Sequence, residues 1–278
     1  MLRRASSEPR GSERFAERRR RRRRRTLSVF FVLLIILLTA TVYGLQHSAV
    51  RILHAEVISA DASLSAYATN AMQGNYFGII PRGSIFFFPE ERIRADILSS
   101  HNDIAAVSIL RNGFTGISIK IDYRVPIARW CGDATRFNPA IAGLNLVADC
   151  YVFDSSGIIF SAVSTTTQTI NTFKLYAPLV GETLEPLRAI ILHAEELPAV
   201  FDFARQLATL GSQTVSVVIH GDEVDNILAS GTRVTYVLGR EQDAFTALVS
   251  ARDNFNLADG SVDYIDLRFD GKVYVKKR

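Results

Sequence analysis

HNDIAAVSILRNGFTGISIKIDYRVPIARW, residues 101–130, decides the fold. Ala106 to Arg111 reads as a strand, Asn112-Gly113 as a turn, and Ile117 to Val125 as a longer strand whose isoleucines and Tyr123 alternate with polar residues. Such a period of two belongs to a strand with one buried and one wet face. Pro126 has no N–H to give a ladder and marks where internal pairing loosens.

Upstream, Pro89 sits at the first turn of a helix, with Glu90 and Glu91 near its positive end and Ile93, Ile97 and Leu98 facing inward; His101-Asn102 ends it. Residues 75–88 carry Gly78, Pro81 and Gly83 and read as a loop. Its Phe86-Phe87-Phe88 run reads as packing beside a core helix, with a partner-binding patch as the alternative. A shorter helix holds Leu64, Ala68, Ala71 and Met72, capped by Asp61 or Ser63 and closed by Gly74. Before it, Arg51 to Ser59 reads as a strand with Leu53, Ala55 and Val57 on one face. Strand, helix, helix, strand, strand predicts a three-stranded sheet backed by two helices.

Further out, residues 26–46, TLSVFFVLLIILLTATVYGLQ, contain no charge. At about 1.5 Å per residue they reach about 31 Å, enough to cross the hydrocarbon layer. The first 25 residues hold twelve arginines, Arg18 to Arg25 among them, against three glutamates, a balance of +9; with the whole chain at +4, the rest carries −5. Arginines flanking one end of a span hold it in the cytoplasm, so residues 47–278 are expected outside. A cleaved signal peptide would have a shorter apolar core than this, although Thr39-Ala40-Thr41 is a weak small-residue site. Polyarginine also neutralises phosphate backbones, but a run set against a span points to topology and anionic lipid, so no nucleic-acid partner is expected.

Downstream, Cys131 and Cys150 are the only cysteines. They stand at the ends of two strand-like segments, and an oxidising compartment would let them pair; two buried free thiols are the alternative. CYVFDSSGIIF, residues 150–160, reads as strand, turn, strand, and Ser161 to Thr169 as a solvated loop. Helices are expected over Leu197 to Leu210 and Glu241 to Phe255, and short strands at Val215 to Ile219, Ile227 to Leu228 and Val234 to Leu238. The chain closes with VDYIDLRFDGKVYVKKR, residues 262–278, a hairpin. A two-residue Asp270-Gly271 loop would put lysines on its apolar face. A three-residue loop, Phe269-Asp270-Gly271, opposes Ile265 to Val275 and Leu267 to Val273 and leaves Asp266, Arg268, Lys272, Tyr274 and Lys276 on the other side. Its final strand presents an edge, which the lysines either blunt or leave open to a partner's strand.

Val107, Arg111, Ile117, Ile119, Ile121, Arg124, Pro126, Ala128 and Trp130 resemble the run that closes the polypeptide-transport-associated (POTRA) domain of the FtsQ/DivIB family of bacterial cell-division proteins. Residues 150–160 resemble the opening of that family's β domain, and Tyr264-Ile265-Asp266-Leu267-Arg268-Phe269 its closing strand. The resemblance implies an α+β chain: a basic cytoplasmic tail (1–25), a transmembrane helix (26–46), a POTRA-like domain of three strands and two helices (47–130), and a β-rich domain with two helices (131–278). It also implies a bitopic scaffold of the bacterial inner membrane at the division septum, helping to regulate wall synthesis. Single-span partners of the FtsB/DivIC type, with FtsL-like proteins, would dock on the terminal edge, here Phe269, Lys272, Val273, Tyr274 and Val275.

Catalytic patterns are missing. His193-Ala194-Glu195-Glu196 lacks the second histidine of a zinc protease, and no nucleophile elbow or phosphate loop occurs. Asp222-Glu223-Asp225 and Asp263-Asp266-Asp270 read as a loop and an exposed strand face rather than as calcium or acid–base sites. The expectation is a scaffold without cofactor, metal or catalysis; a membrane-tethered wall enzyme and a POTRA-bearing secretion component are the alternatives.

Overall fold

A computed structural model describes residues 10–58, 62–137, 150–164, 166–181 and 185–278. Its first element, α1, Arg10–Gln46, passes unbroken through the arginines and the uncharged segment. Within Arg19–Gln46 an unburied 18-residue stretch has mean hydropathy 2.5, and among the described residues this is the one helix long and apolar enough to cross a membrane. Thr26, Ser28, Thr39 and Thr41 each donate a hydroxyl hydrogen bond of 2.8–2.9 Å to the carbonyl four residues back. These four hydroxyls are thereby satisfied within the helix itself.

The chain divides into two units, one running to Ile97 and taking in Val107–Ile121, the other made of Leu98–Ala106 and Asp122–Arg278. In the first, β1 is His54–Ile58, and α2, Ser65–Ala71, follows a 3₁₀ turn at Ala62–Leu64. Of the two caps expected for this helix, Asp61 lies outside the described residues. The expected loop contains a small hairpin, β2, Asn75–Tyr76, with β3, Ile80–Pro81. Phe88 beyond it is buried, but Phe86 and Phe87 are exposed, so only one of the three phenylalanines packs as expected. Then come α3, Glu90–Ser100, β4, Ile104–Asn112, and β5, Gly116–Tyr123, in a sheet of order β1-β5-β4.

Ile117, Ile119 and Ile121 of β5 are buried while Lys120 and Asp122 face water, and Ala68, Ala71, Ile93 and Ile97 supply the buried side chains of the helices. Arg94 pairs with Glu90 at 2.7 Å and donates from Nε to Val107 O at 3.2 Å, tying α3 to β4. Leu53, expected within the first strand on one face with Ala55 and Val57, stands ahead of it and is exposed.

The second unit is a nine-stranded mixed sheet. Its strands are β6, Ala128–Trp130; β7, Tyr151–Phe153; β8, Ile159–Ala162; β9, Lys174–Tyr176; β10, Thr214–His220; β11, Glu223–Leu228; β12, Arg233–Val237; β13, Val262–Asp266; and β14, Tyr274–Lys277. Their order is β14-β13-β12-β11-β10-β9-β6-β7-β8. Parallel neighbours need a crossover. The helices supply two: α4, Leu197–Ala208, between parallel β9 and β10, and α5, Glu241–Ala251, between parallel β12 and β13. Both helices bury their apolar stripes in one core, where Val200, Phe203 and Leu207 of α4 meet Val217, Tyr236 and Ile265 of the strands. β6 belongs to this sheet, so the second unit takes in residues ahead of Cys131.

Candidate partner-docking edge

β14 is the terminal strand of the sheet, and among the described residues no strand pairs with its outer side. Its inner side pairs antiparallel with β13, Ile265 opposite Val275 and Asp266 opposite Tyr274, the register that a three-residue loop implies. The connection itself is longer, because ladder pairing stops at Asp266 and Tyr274. Leu267 N–H is taken by Thr235 O at 2.8 Å, and Arg268 N–H by Asp266 Oδ1 at 3.0 Å, so neither continues the ladder to β14. Gly271 closes the turn at φ +64, where a Cβ would be strained.

The sequence-expected site residues divide by burial. Val273 and Val275 are partly buried against the core, while Phe269 and Tyr274 stand 52% and 49% exposed, their rings in edge contact at 5.4 Å. Lys272 is exposed in the turn. Two cations near the edge are turned back onto the chain: Lys276 Nζ meets Asp263 Oδ2 at 2.9 Å, and Arg278 Nη2 donates to Gly231 O at 2.9 Å. The edge is thus guarded less than its basic composition implies.

Asp266 corrects the expectation of a wholly exposed polar face, since it is buried. Arg268 makes this tolerable, donating from Nε to Asp266 Oδ1 at 3.0 Å and from Nη2 to Oδ2 at 2.7 Å while Nη1 reaches Glu223 Oε1. Hydrogen bonding from Arg268 holds the Asp266 carboxyl below its ordinary range, and the two carboxylates raise the arginine. Asp270 pairs with Arg240. Asp225 accepts from Thr235 Oγ1 and lies 3.2 Å from His220 Nε2. The two acidic clusters are therefore largely spent on internal pairing. Sequence reading missed Arg268 as their organiser because Glu223, 45 residues away, carries no local sign of the contact.

Cys131 and Cys150 form a disulfide, S–S 2.01 Å. They flank the last pair of the β6–β7 ladder, Trp130 opposite Tyr151. His193, Glu195 and Glu196 bring one ligand atom each within 4.8 Å of the others on the turn ahead of α4, a geometry common among exposed acidic groups, and Glu196 Oε2 is buried there without a hydrogen-bond partner. No family model matches the chain, and no curated protein matches it. Fold and site define a class by geometry alone: among the described residues, a mixed α+β protein with one helix long and apolar enough to cross a membrane and a terminal sheet strand, β14, flanked by an aromatic pair.

Proposed function

We propose that the protein is a single-span membrane scaffold of the bacterial division machinery, of the FtsQ/DivIB kind its sequence resembles. Its β14 captures an extended segment of a small single-span partner of the FtsB/DivIC type, with an FtsL-like protein in the same assembly. The amino terminus is cytoplasmic, the sheet units lie outside the inner membrane, and the role at the septum is positional, without catalysis. One observation carries this reading: among the described residues no strand pairs with the outer side of β14, and two half-exposed aromatic rings stand beside it. Strand addition there draws affinity from main-chain hydrogen bonds and selectivity from side chains along the edge.

Tyr274→Glu is the cleanest test, because Tyr274 is exposed whereas Val273 touches the core and a charge there would disturb the fold. Tagged full-length chain co-purified from native membranes should lose its single-span partner on Tyr274→Glu while circular dichroism stays unchanged. Equal partner recovery from both chains would remove the edge from the proposal.

A further inference from the structure

The first unit has one end that its topology assigns to the membrane. α1 ends at Gln46 and β1 starts at His54, so seven residues separate the apolar helix from the sheet. β1 runs parallel to β5 with His54 opposite Gly116, which sets the β4–β5 turn, residues 113–115, beside the start of β1. Leu53 N–H donates to Thr115 O at 2.8 Å and fixes that neighbourhood. The β2–β3 hairpin is held at the same end: Gln46 Nε2 donates to Ile79 O at 3.5 Å, and Ile52 N–H to Gly83 O at 2.8 Å.

Apolar side chains that nothing in the unit covers gather here. Phe77 is 96% exposed, Phe114 68%, Leu53 64% and Ile79 53%. Scattered exposed apolar residues need no explanation, but four on adjoining turns at one end do. Phe77 is the most telling. It and Gly78 occupy the centre of the hairpin turn at φ +49 and +72, the positive values of a type I′ turn, where asparagine and glycine are the ordinary residues. A phenylalanine there strains the backbone and recovers nothing by packing within the unit.

We infer that this end of the first unit is seated in the bilayer interface on the side where α1 emerges, with Phe77 and Phe114 inserted at headgroup depth. The inference rests on reading α1 as a span. A bilayer fits better than a protein partner because the aromatic surface continues from the helix itself: Tyr43, in the last turn of α1, is 75% exposed. Aromatic rings of this kind form the interfacial belts of membrane proteins. Cations accompany them, Arg51 exposed at the start of the sheet and Arg82 over the Tyr76 ring at 5.1 Å, within reach of lipid phosphates. Seating both turns would stop the unit swinging on its seven-residue connection.

The test uses the full chain reconstituted into vesicles of phosphatidylcholine and phosphatidylglycerol, with ordinary or acyl-brominated lipid. Trp130, the only native tryptophan, is buried with its indole donating to Ala177 O at 2.8 Å, and gives a steady background. Phe77→Trp and Phe114→Trp should each lose most of their added emission in brominated vesicles, several-fold more than Tyr274→Trp on β14 of the second unit. If both are as insensitive to bromine as Tyr274→Trp, in vesicles from which alkaline washing does not strip the chain, the inference fails while the span stands. A chain stripped by the wash overturns the span and the inference together.

Discussion

Arg268 serves three acceptor oxygens at once, and its removal leaves Asp266 buried without its hydrogen-bonded cation. Arg268→Ala should therefore cost about 1–3 kcal/mol, the penalty of a stranded buried acceptor, read as a lower denaturation midpoint. The pH dependence has a definite sign. A carboxyl held below its unfolded value of about 3.9 contributes stability that is complete above that pH and is lost as pH falls through the folded value. The wild-type melting temperature should drop below about pH 4, and part of that drop should vanish in Asp266→Asn, which has no such proton to gain. At Phe77 the expected change is opposite: Phe77→Gly relieves a left-handed backbone costing about 1–2 kcal/mol, partly offset by glycine's entropy. In detergent, away from a bilayer, it should melt slightly higher than wild type.

Among the elements, the β6–β7 pair depends most on a covalent link. The disulfide closes a connection of 18 residues between its cysteines, and confining such a loop in the unfolded chain is worth about 3 kcal/mol. Replacing both cysteines by serine should lower the melting temperature, and reductant should do the same to wild type; no change under reductant would mean the bridge does not form. The same region shows what sequence pattern can and cannot carry. Strict alternation made β5 legible, and the Asp-Gly turn made the register of the last hairpin legible, since in each case the signal and its cause lie within a few residues. β9 escaped notice because Lys174-Leu175-Tyr176 is too short to display a period. Its burial comes from β6 and β10, more than 35 residues away on either side. β6 joins the second sheet for the same reason, its partners lying beyond Cys150. At the candidate edge the exposure of Tyr274 could be read from alternation, but the contact of Phe269 with it and the anchoring of Asp266, Arg268 and Glu223 could not.

For the whole molecule the charge division is decisive: +9 on the first 25 residues, −5 beyond, and an uncharged segment between. Basic residues beside a span resist translocation, so in the proposed single-span arrangement the arginine run is what holds the amino terminus in the cytoplasm. The disulfide can report that choice, because Cys131 and Cys150 would oxidise outside the cytoplasm and stay thiols within it. Replacing Arg18 to Arg25 by glutamine leaves the apolar segment intact but turns the balance of the tail from +9 to +1, removing the bias. A growing fraction of chains should then leave their sheets in the cytoplasm. Cells lysed in acid and treated with a polyethylene-glycol maleimide should show wild type unmodified without reductant, and the glutamine variant partly shifted by two adducts. The shifted fraction should also resist protease added to intact spheroplasts. If the variant stays fully oxidised and fully protease-accessible, the arginines do not orient the chain, and the run must serve anionic lipid alone.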